Sequence, residues 1–334
     1  MMMRKWILIA GMLLVFSCNN GVVRNQTLGE ALGTTFNIIY FANEELNFQK
    51  EIDSVFTSVN YSLSTYIPDS DISRINRGDS LLVVDKMFRE VFELSREVHK
   101  DTRGYFDPTV GVLVNAWGFG PGNQVSMDST SVDSLLNYVG FNKVSITPEN
   151  RIVKDNPNIY FDFNAIAKGY AIDRLALMLD RKGIANYLVE VGGEVVAKGI
   201  NLEKEKPWVV GIDDPQVVTG RKLKLLINLT DRALASSGNY RKFRIDSVTG
   251  KKYVHTVDPI TGYTKNSNTL GVTILATNCA TADAYATAFM AMDLPEAFKV
   301  INSNKNLEAY IIYLDEKGVA KEFLTKGFKS LLVE

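Results

Sequence analysis

The chain has 334 residues, 46% hydrophobic, 22% charged and 10% aromatic, a balance that supports a sizeable core and excludes disorder as the dominant state. Its 37 Lys and Arg against 38 Asp and Glu give a formal net charge of −1, without the basic excess of a dedicated nucleic-acid binder. The two cysteines, Cys18 and Cys279, are too few for a disulfide framework or a cysteine metal site.

In chain order, residues 1–17 read as a secretory signal peptide. Arg4 and Lys5 precede the apolar run Trp6 to Phe16, which is shorter than the ~20 residues that span a bilayer. Val15-Phe16-Ser17-Cys18 resembles a bacterial lipobox, with Phe16 bulkier than usual. Cleavage before Cys18 would remove Arg4 and Lys5, make the chain two charges more negative, and leave Cys18 as a lipid anchor. The expected location is extracytoplasmic, on the periplasmic side of a bacterial membrane. Residues 18–30 are expected as lipidated cysteine and tether, and residues 31–334 as one domain.

Residues 36–41 are β-prone, and 44–62 and 86–100 have helical spacing. His99 falls just off the apolar face of the second helix and reads as a solvated surface residue. Residues 104–125 form a long loop rich in Gly and aromatics. A short helix is expected at 130–139, capped by Thr130 or Ser131. A strand at 159–163 should lead into a helix at 164–180. Further strands are expected at 187–191, 208–212, 223–229, 241–245, 252–257 and 270–275. The Ala-rich segment 279–292 is a helix, followed by a helix–strand pair at 295–315 and a strand-like end at 320–332. The whole suggests an α+β fold with a largely antiparallel sheet and packed helices.

Several local patterns could hold chemistry. Asp283 and Thr287 lie four apart on a helix and present oxygens to one side, as Mg²⁺ would need and as a surface polar pair would also do. Asp162-Phe163-Asn164-Ala165-Ile166-Ala167-Lys168-Gly169 runs from strand to helix start, where amides attract anions and caps are also common. Val191-Gly192-Gly193-Glu194 allows a sharp turn or close backbone approach. Ser236-Ser237-Gly238-Asn239-Tyr240 reads as a turn, and His255 stands before an Asp-Pro-x-x-Gly turn signal. Neither a G-x-G-x-x-G dinucleotide pattern nor a phosphate loop is present in the chain.

Taken in order, these stretches resemble the FAD:protein FMN transferase family of ApbE-type lipoproteins. The resemblance runs from Gly33 to about Asp293. It rests on Leu32-Gly33-Thr34-Thr35-Phe36, Leu63-Ser64-Thr65-Tyr66, Ser70-Asp71-Ile72-Ser73-Arg74-Ile75-Asn76 and Phe106-Asp107-Pro108-Thr109-Val110-Gly111. It continues through Trp117-Gly118-Phe119-Gly120, Ala165-Ile166-Ala167-Lys168-Gly169-Tyr170-Ala171, Gly192-Gly193-Glu194 and Ser237-Gly238-Asn239-Tyr240. His255-Thr256-Val257-Asp258-Pro259 and Thr281-Ala282-Asp283 with Thr287 complete it. Leu32 stands where the family often has Met, and Ser236 where it often has Thr.

The resemblance implies an ApbE-like, T-fold-like domain that moves FMN from FAD to a Thr or Ser of an acceptor protein through a phosphoester, releasing AMP. It implies Mg²⁺ held by the Ala165 carbonyl, Asp283 and Thr287. It also implies an FAD site of Leu32, Tyr66, Tyr105, Phe106, Asp107, Asp162, Lys168, Gly193, Ser237 and His255. His255 and Asp283 are the expected catalytic residues, His255 as base with Asp258 or Asp283 assisting it. Tyr66, Phe106 and Trp117 are expected as stacking faces. The implied acceptor carries a flavinylation motif and belongs to a membrane redox complex. Two alternatives stay open: an FAD pyrophosphatase, and a lipoprotein that only binds FAD. A two-lobed solute-binding protein is disfavoured because no internal duplication is visible.

Overall fold

The computed structural model describes residues 21–217, 220, 222–239, 243–245, 252–265 and 267–333. The expected signal peptide, Cys18, Tyr240 and residues 241–242 of an expected strand lie outside the described residues.

Strands β1 (Val23–Ala31) and β2 (Thr34–Ala42) form a hairpin. Helices α1 (Gln49–Leu63), α2 (Asp71–Asn76), α3 (Lys86–Asp101), α4 (Gly111–Ala116) and α5 (Ser129–Leu136) follow. The small hairpin β3 (Val144–Ile146) and β4 (Ile152–Lys154) precedes α6 (Ala167–Arg181). Next come β5 (Tyr187–Val191), β6 (Glu194–Lys198), β7 (Trp208–Asp213), β8 (Leu223–Leu229), β9 (Arg232–Gly238), β10 (Phe243–Ile245) and β11 (Lys252–Val254). The chain finishes with β12 (Thr269–Ala276), α7 (Cys279–Ala291), α8 (Leu294–Ser303), β13 (Glu308–Leu314), β14 (Ala320–Leu324) and α9 (Lys326–Lys329).

Eight strands build one sheet in the order β1-β2-β5-β6-β9-β12-β13-β14, every neighbouring pair antiparallel. Period-two alternation divides its residues between two faces. Phe36, Ile38, Val189, Val191, Ala233, Ala235, Val272 and Ile274 join the main core with α1, α3, α6 and α7. Phe41, Val195, Leu234, Leu275, Tyr310 and Ile312 meet Trp208, Ile227 and Phe328 from β7, β8 and α9 on the other side. The expected α+β class, antiparallel sheet and packed helices are as observed.

Helix α7 is buried on nearly all sides between the sheet and α6. Its alanines let the backbone approach β9 and β12 closely, so no apolar stripe marks its sequence. Its first three amides are each satisfied by a side chain. Asn278 accepts from Thr281 at 2.8 Å, and Asp173 of α6 accepts from Cys279 at 2.7 Å and Ala280 at 2.8 Å.

Several expectations are corrected. The tether expected over 18–30 gives way at Val23 to β1, whose polar residues are ordered by pairing with β2. The 104–125 loop contains α4, and α5 is capped by Asp128, which accepts from Ser131 at 2.8 Å. Residues 320–332 turn from β14 into α9. Ser236, Ser237 and Gly238 continue β9, opposite Thr273, Val272 and Gly271, instead of turning. The expected 159–163 strand is buried irregular chain with a single parallel bridge, Val110 to Tyr160. Asn76 takes the place of a neighbouring strand there: its Oδ1 accepts from the Phe161 amide at 2.7 Å and its Nδ2 donates to the Phe161 carbonyl at 2.9 Å.

Candidate active site

The helix-covered face of the sheet ends in polar residues at the pole where β2 begins and β5 ends. Glu194 of β6 and Ser237 of β9 share the parity of core residues on this face, so both side chains point toward α6 and α7. Ser237 Oγ lies 3.5 Å from Thr287 Oγ1 of α7. One turn earlier, Asp283 is buried, and its Oδ2 accepts from the Gly169 amide at 3.2 Å. Gly169 permits this crossing: a Cβ there would sit 2.5 Å from the Cys279 carbonyl oxygen. Its amide thus serves Asp283, not the Ala165 carbonyl that a regular first helical turn would offer.

Lys168 Nζ reaches Glu194 Oε1 at 2.9 Å. Burial alone would lower the lysine, yet the Glu194 and Asp283 carboxylates together hold its ammonium above the usual range. Burial and then Asp283 push Glu194 well above the carboxylate range, against the pull of Lys168. Burial also raises Asp283, against Lys168 and the Gly169 amide. With both acids ionised, two buried carboxylates face one ammonium, and an uncompensated buried charge is costly.

This site fits a divalent cation. A carboxylate, a hydroxyl and a backbone carbonyl are hard oxygen donors, and Glu194 Oε2 is buried without a hydrogen-bond partner. No cluster of three or more His, Cys, Asp or Glu is placed for metal among the described residues. Mg²⁺ with phosphate does not need one, because one or two carboxylates suffice.

Two hairpin tips border this pole. Leu32 and Gly33 turn β1 into β2 with φ of 53° and 73°, and Gly192 and Gly193 turn β5 into β6 with φ of 59° and 92°. Positive φ at both central residues is what a two-residue hairpin of type I′ demands. Leu32 holds that conformation at a steric cost that glycine avoids. The Gly192 amide donates to the Thr35 carbonyl at 3.0 Å, tying the tips together.

Tyr66 is 60% exposed. Burial, then the charges of Asp162 and Tyr160, raise its hydroxyl above the usual value. Tyr66, Ser73, Asn76, Arg77 and Tyr160 line an open cleft of about 320 Å³. Asp162 is buried and accepts from the Asn164 amide at 2.7 Å.

Other expected residues play different parts. The Phe106 ring is 4% exposed in the main core, and Trp117 is 3% exposed and donates to the Gly262 carbonyl at 2.9 Å. Neither ring offers a free stacking face, because each fills a core. The Asp107 carboxylate accepts from the Thr109 amide and hydroxyl and, at 2.9 Å, from the Phe141 amide, so it braces the turn behind Tyr105. His99 is a buttress instead of a solvated residue: its Nδ1 lies 3.0 Å from the Phe106 carbonyl and 3.6 Å from Asp107 Oδ2. Tyr105 is half-buried under Lys265, whose Nζ lies 5.9 Å from the ring centroid.

His255 is half-buried just after β11. The neighbouring Thr256 hydroxyl donates to Asn239 at 2.8 Å, linking this segment to the end of β9. Asp258, one expected helper, is engaged elsewhere. Its Oδ1 accepts from the Ile260 and Thr261 amides, and its Oδ2 lies 3.6 Å from Lys265. Sequence reasoning missed the Glu194–Lys168 pair, the clamp of Asn76 on Phe161 and the cap of Asp173 on α7. An acid at a core-facing strand position was the available sign of the first.

Residues 32–311 match the model of the ApbE family. The chain belongs to this family. The ApbE match begins at the Leu32 tip and spans every expected site residue. A relative from Vibrio cholerae, named FAD:protein FMN transferase, is 35% identical over 341 residues covering 99% of each chain. One of the same name from Escherichia coli K12 is 31% identical over 87% of this chain and 84% of its own. The solved flavin transferase ApbE from Vibrio cholerae superposes with a TM-score of 0.82 at 33% identity, covering 93% of this chain and all of that one. The ApbE protein of Thermotoga maritima gives 0.79 at 29% identity, with 93% and 100% covered.

Proposed function

We propose that the chain is a Mg²⁺-dependent flavin transferase that joins FMN from FAD to a Thr or Ser of an acceptor protein and releases AMP. The observation that carries this is the convergence of Asp283, Thr287, Ser237 and the Lys168–Glu194 pair on one pole of the sheet. It stands in a chain 35% identical, end to end, to a relative named FAD:protein FMN transferase.

The acceptor hydroxyl oxygen forms a bond to the FMN phosphorus while the bond from that phosphorus to the bridging oxygen breaks. AMP leaves with the electron pair, and the hydroxyl proton passes to a base. His255 is that base, half-buried and linked to β9 through Thr256 and Asn239. Asp283, Thr287 and the Ala165 carbonyl would hold Mg²⁺, which would supply charge neutralisation at the pyrophosphate. Lys168 and the first turn of α6 add positive field there. Tyr66 offers the exposed aromatic face for a flat ring, and the Leu32 and Gly193 tips bound the pole beside it. The lipobox-like Cys18 supports an extracytoplasmic, lipid-anchored enzyme, and the family resemblance supports a subunit of a membrane redox complex as its acceptor.

The test is purified protein with FAD, Mg²⁺ and an acceptor bearing a flavinylation motif, read by mass spectrometry. Gain of FMN mass by the acceptor, lost in Asp283→Ala, is expected. Free FMN and AMP with an unmodified acceptor would favour a pyrophosphatase. FAD binding without turnover would leave a carrier only.

A further inference from the structure

Half of the Glu194 carboxylate is unaccounted for by its ion pair. The residue is 3% exposed, Oε1 holds Lys168 at 2.9 Å, and Oε2 has no hydrogen-bond partner. The neighbouring group is the carboxyl of Asp283, and the two carboxyls can share a hydrogen bond only while one of them keeps its proton, so with both ionised neither is a donor to the other. Buried polar atoms almost always find partners, so an orphan of this kind calls for a missing donor. Strand register leaves Glu194 no freedom to seek one: it pairs with Val191 across the Gly192-Gly193 turn.

We propose that Glu194 is a positioning residue of the cation site. Its Oε1 fixes the Lys168 ammonium, and its Oε2 accepts from the water shell of the divalent cation that Asp283 and Thr287 hold. This rests on the cation-dependent reading given above. Mg²⁺ gives up its waters reluctantly, and those waters need acceptors of fixed position. With both acids ionised, as a bound cation favours, Glu194 adds the second negative charge that turns a neutral Lys168–Asp283 pair into a net-negative site. The charge of Lys168 opposes cation entry, and Glu194 offsets it.

The experiment titrates FAD-free protein with Mn²⁺, read by electron paramagnetic resonance. Glu194→Gln keeps the side-chain shape, removes the charge and should weaken Mn²⁺ binding about 10–100-fold. Glu194→Asp, which keeps the charge, should recover most of that loss. Lys168→Gln removes a repelling charge, so its affinity should hold or rise, whereas a purely structural pair predicts that both partners' variants lose affinity together. Wild-type affinity in Glu194→Gln overturns the proposal. If that variant fails to fold, a drop in Lys168→Gln overturns it. Asp283→Ala separates the two readings: unchanged Mn²⁺ binding there removes the cation site altogether. Loss in Asp283→Ala with none in Glu194→Gln removes only the role of Glu194.

Discussion

The Gly169 amide donates to Asp283 Oδ2 across the crossing of α6 and α7 at 3.2 Å, so one hydrogen bond joins the helix carrying Lys168 to the helix carrying Asp283 and Thr287. The contact depends on the missing side chain at 169. Gly169→Ala should therefore separate the helices. A loss of about 1–3 kcal/mol in stability is expected, as for other overpacked contacts. Urea unfolding measures it, and an unchanged midpoint would contradict the tight crossing.

Asp283→Asn should uncouple stability from activity. It removes one of two buried acids that disfavour each other's ionisation beside a single ammonium, so the metal-free protein should melt higher than wild type while FMN transfer disappears. Calorimetry with chelator present, beside a transfer assay, checks both halves. A lower melting temperature would mean that the Gly169 hydrogen bond outweighs the relief of charge.

His255→Asn should slow transfer by about 10²–10⁴-fold near neutral pH, the usual contribution of a general base. FAD affinity should change far less. Transfer at the wild-type rate would remove His255 from proton transfer.

Asp173 gives a pH signature. Burial raises its carboxyl to about 7, even though it accepts from the Cys279 and Ala280 amides. A carboxyl in the unfolded chain titrates near ~3.9. The folded state therefore holds the proton more tightly, and stability falls as pH rises from about 4 to about 7, then levels off. The upper bound is about 4 kcal/mol at ~1.36 kcal/mol per pH unit. Asp173→Asn should flatten that part of the profile, and chemical denaturation at a series of pH values would show it. An identical slope in the variant would assign the dependence to other groups.

Helix α3 was legible in the sequence because it is a surface helix, with Phe88, Val91, Phe92, Ser95 and Val98 buried on one stripe. Helix α7 was legible only as a helix: with almost every side buried, its pattern does not say which face meets the sheet. Strand β1 was missed because its polar residues gain order from β2, and β-propensity of this kind depends on neighbours. Residues 159–163 have strand-like composition, but their hydrogen bonds go to a side chain 85 positions away in sequence. Motif order named Asp283, Thr287 and Ser237, which the fold brings to one pole. The parts played by Phe106 and Trp117 were not legible, since an aromatic residue reads alike whether it faces a ligand or fills a core.

Strand β1 enters the sheet at Val23, paired with Ala42, and ends at Ala31 beside the Leu32 tip. From the first to the last of its nine residues, at a rise of about 3.3 Å each, the two ends lie roughly 26 Å apart. The point where the chain enters the fold and the pole that holds Asp283, Lys168 and Ser237 are thus opposite ends of one strand's length. With the proposed anchor at Cys18, only residues 19–22 would lie between the lipid and Val23. With β1 along the membrane normal, the reactive pole would face outward. On the proposed function, an acceptor would have to lift its Thr or Ser on a loop or domain of matching height, and reach would become a criterion for which proteins are modified.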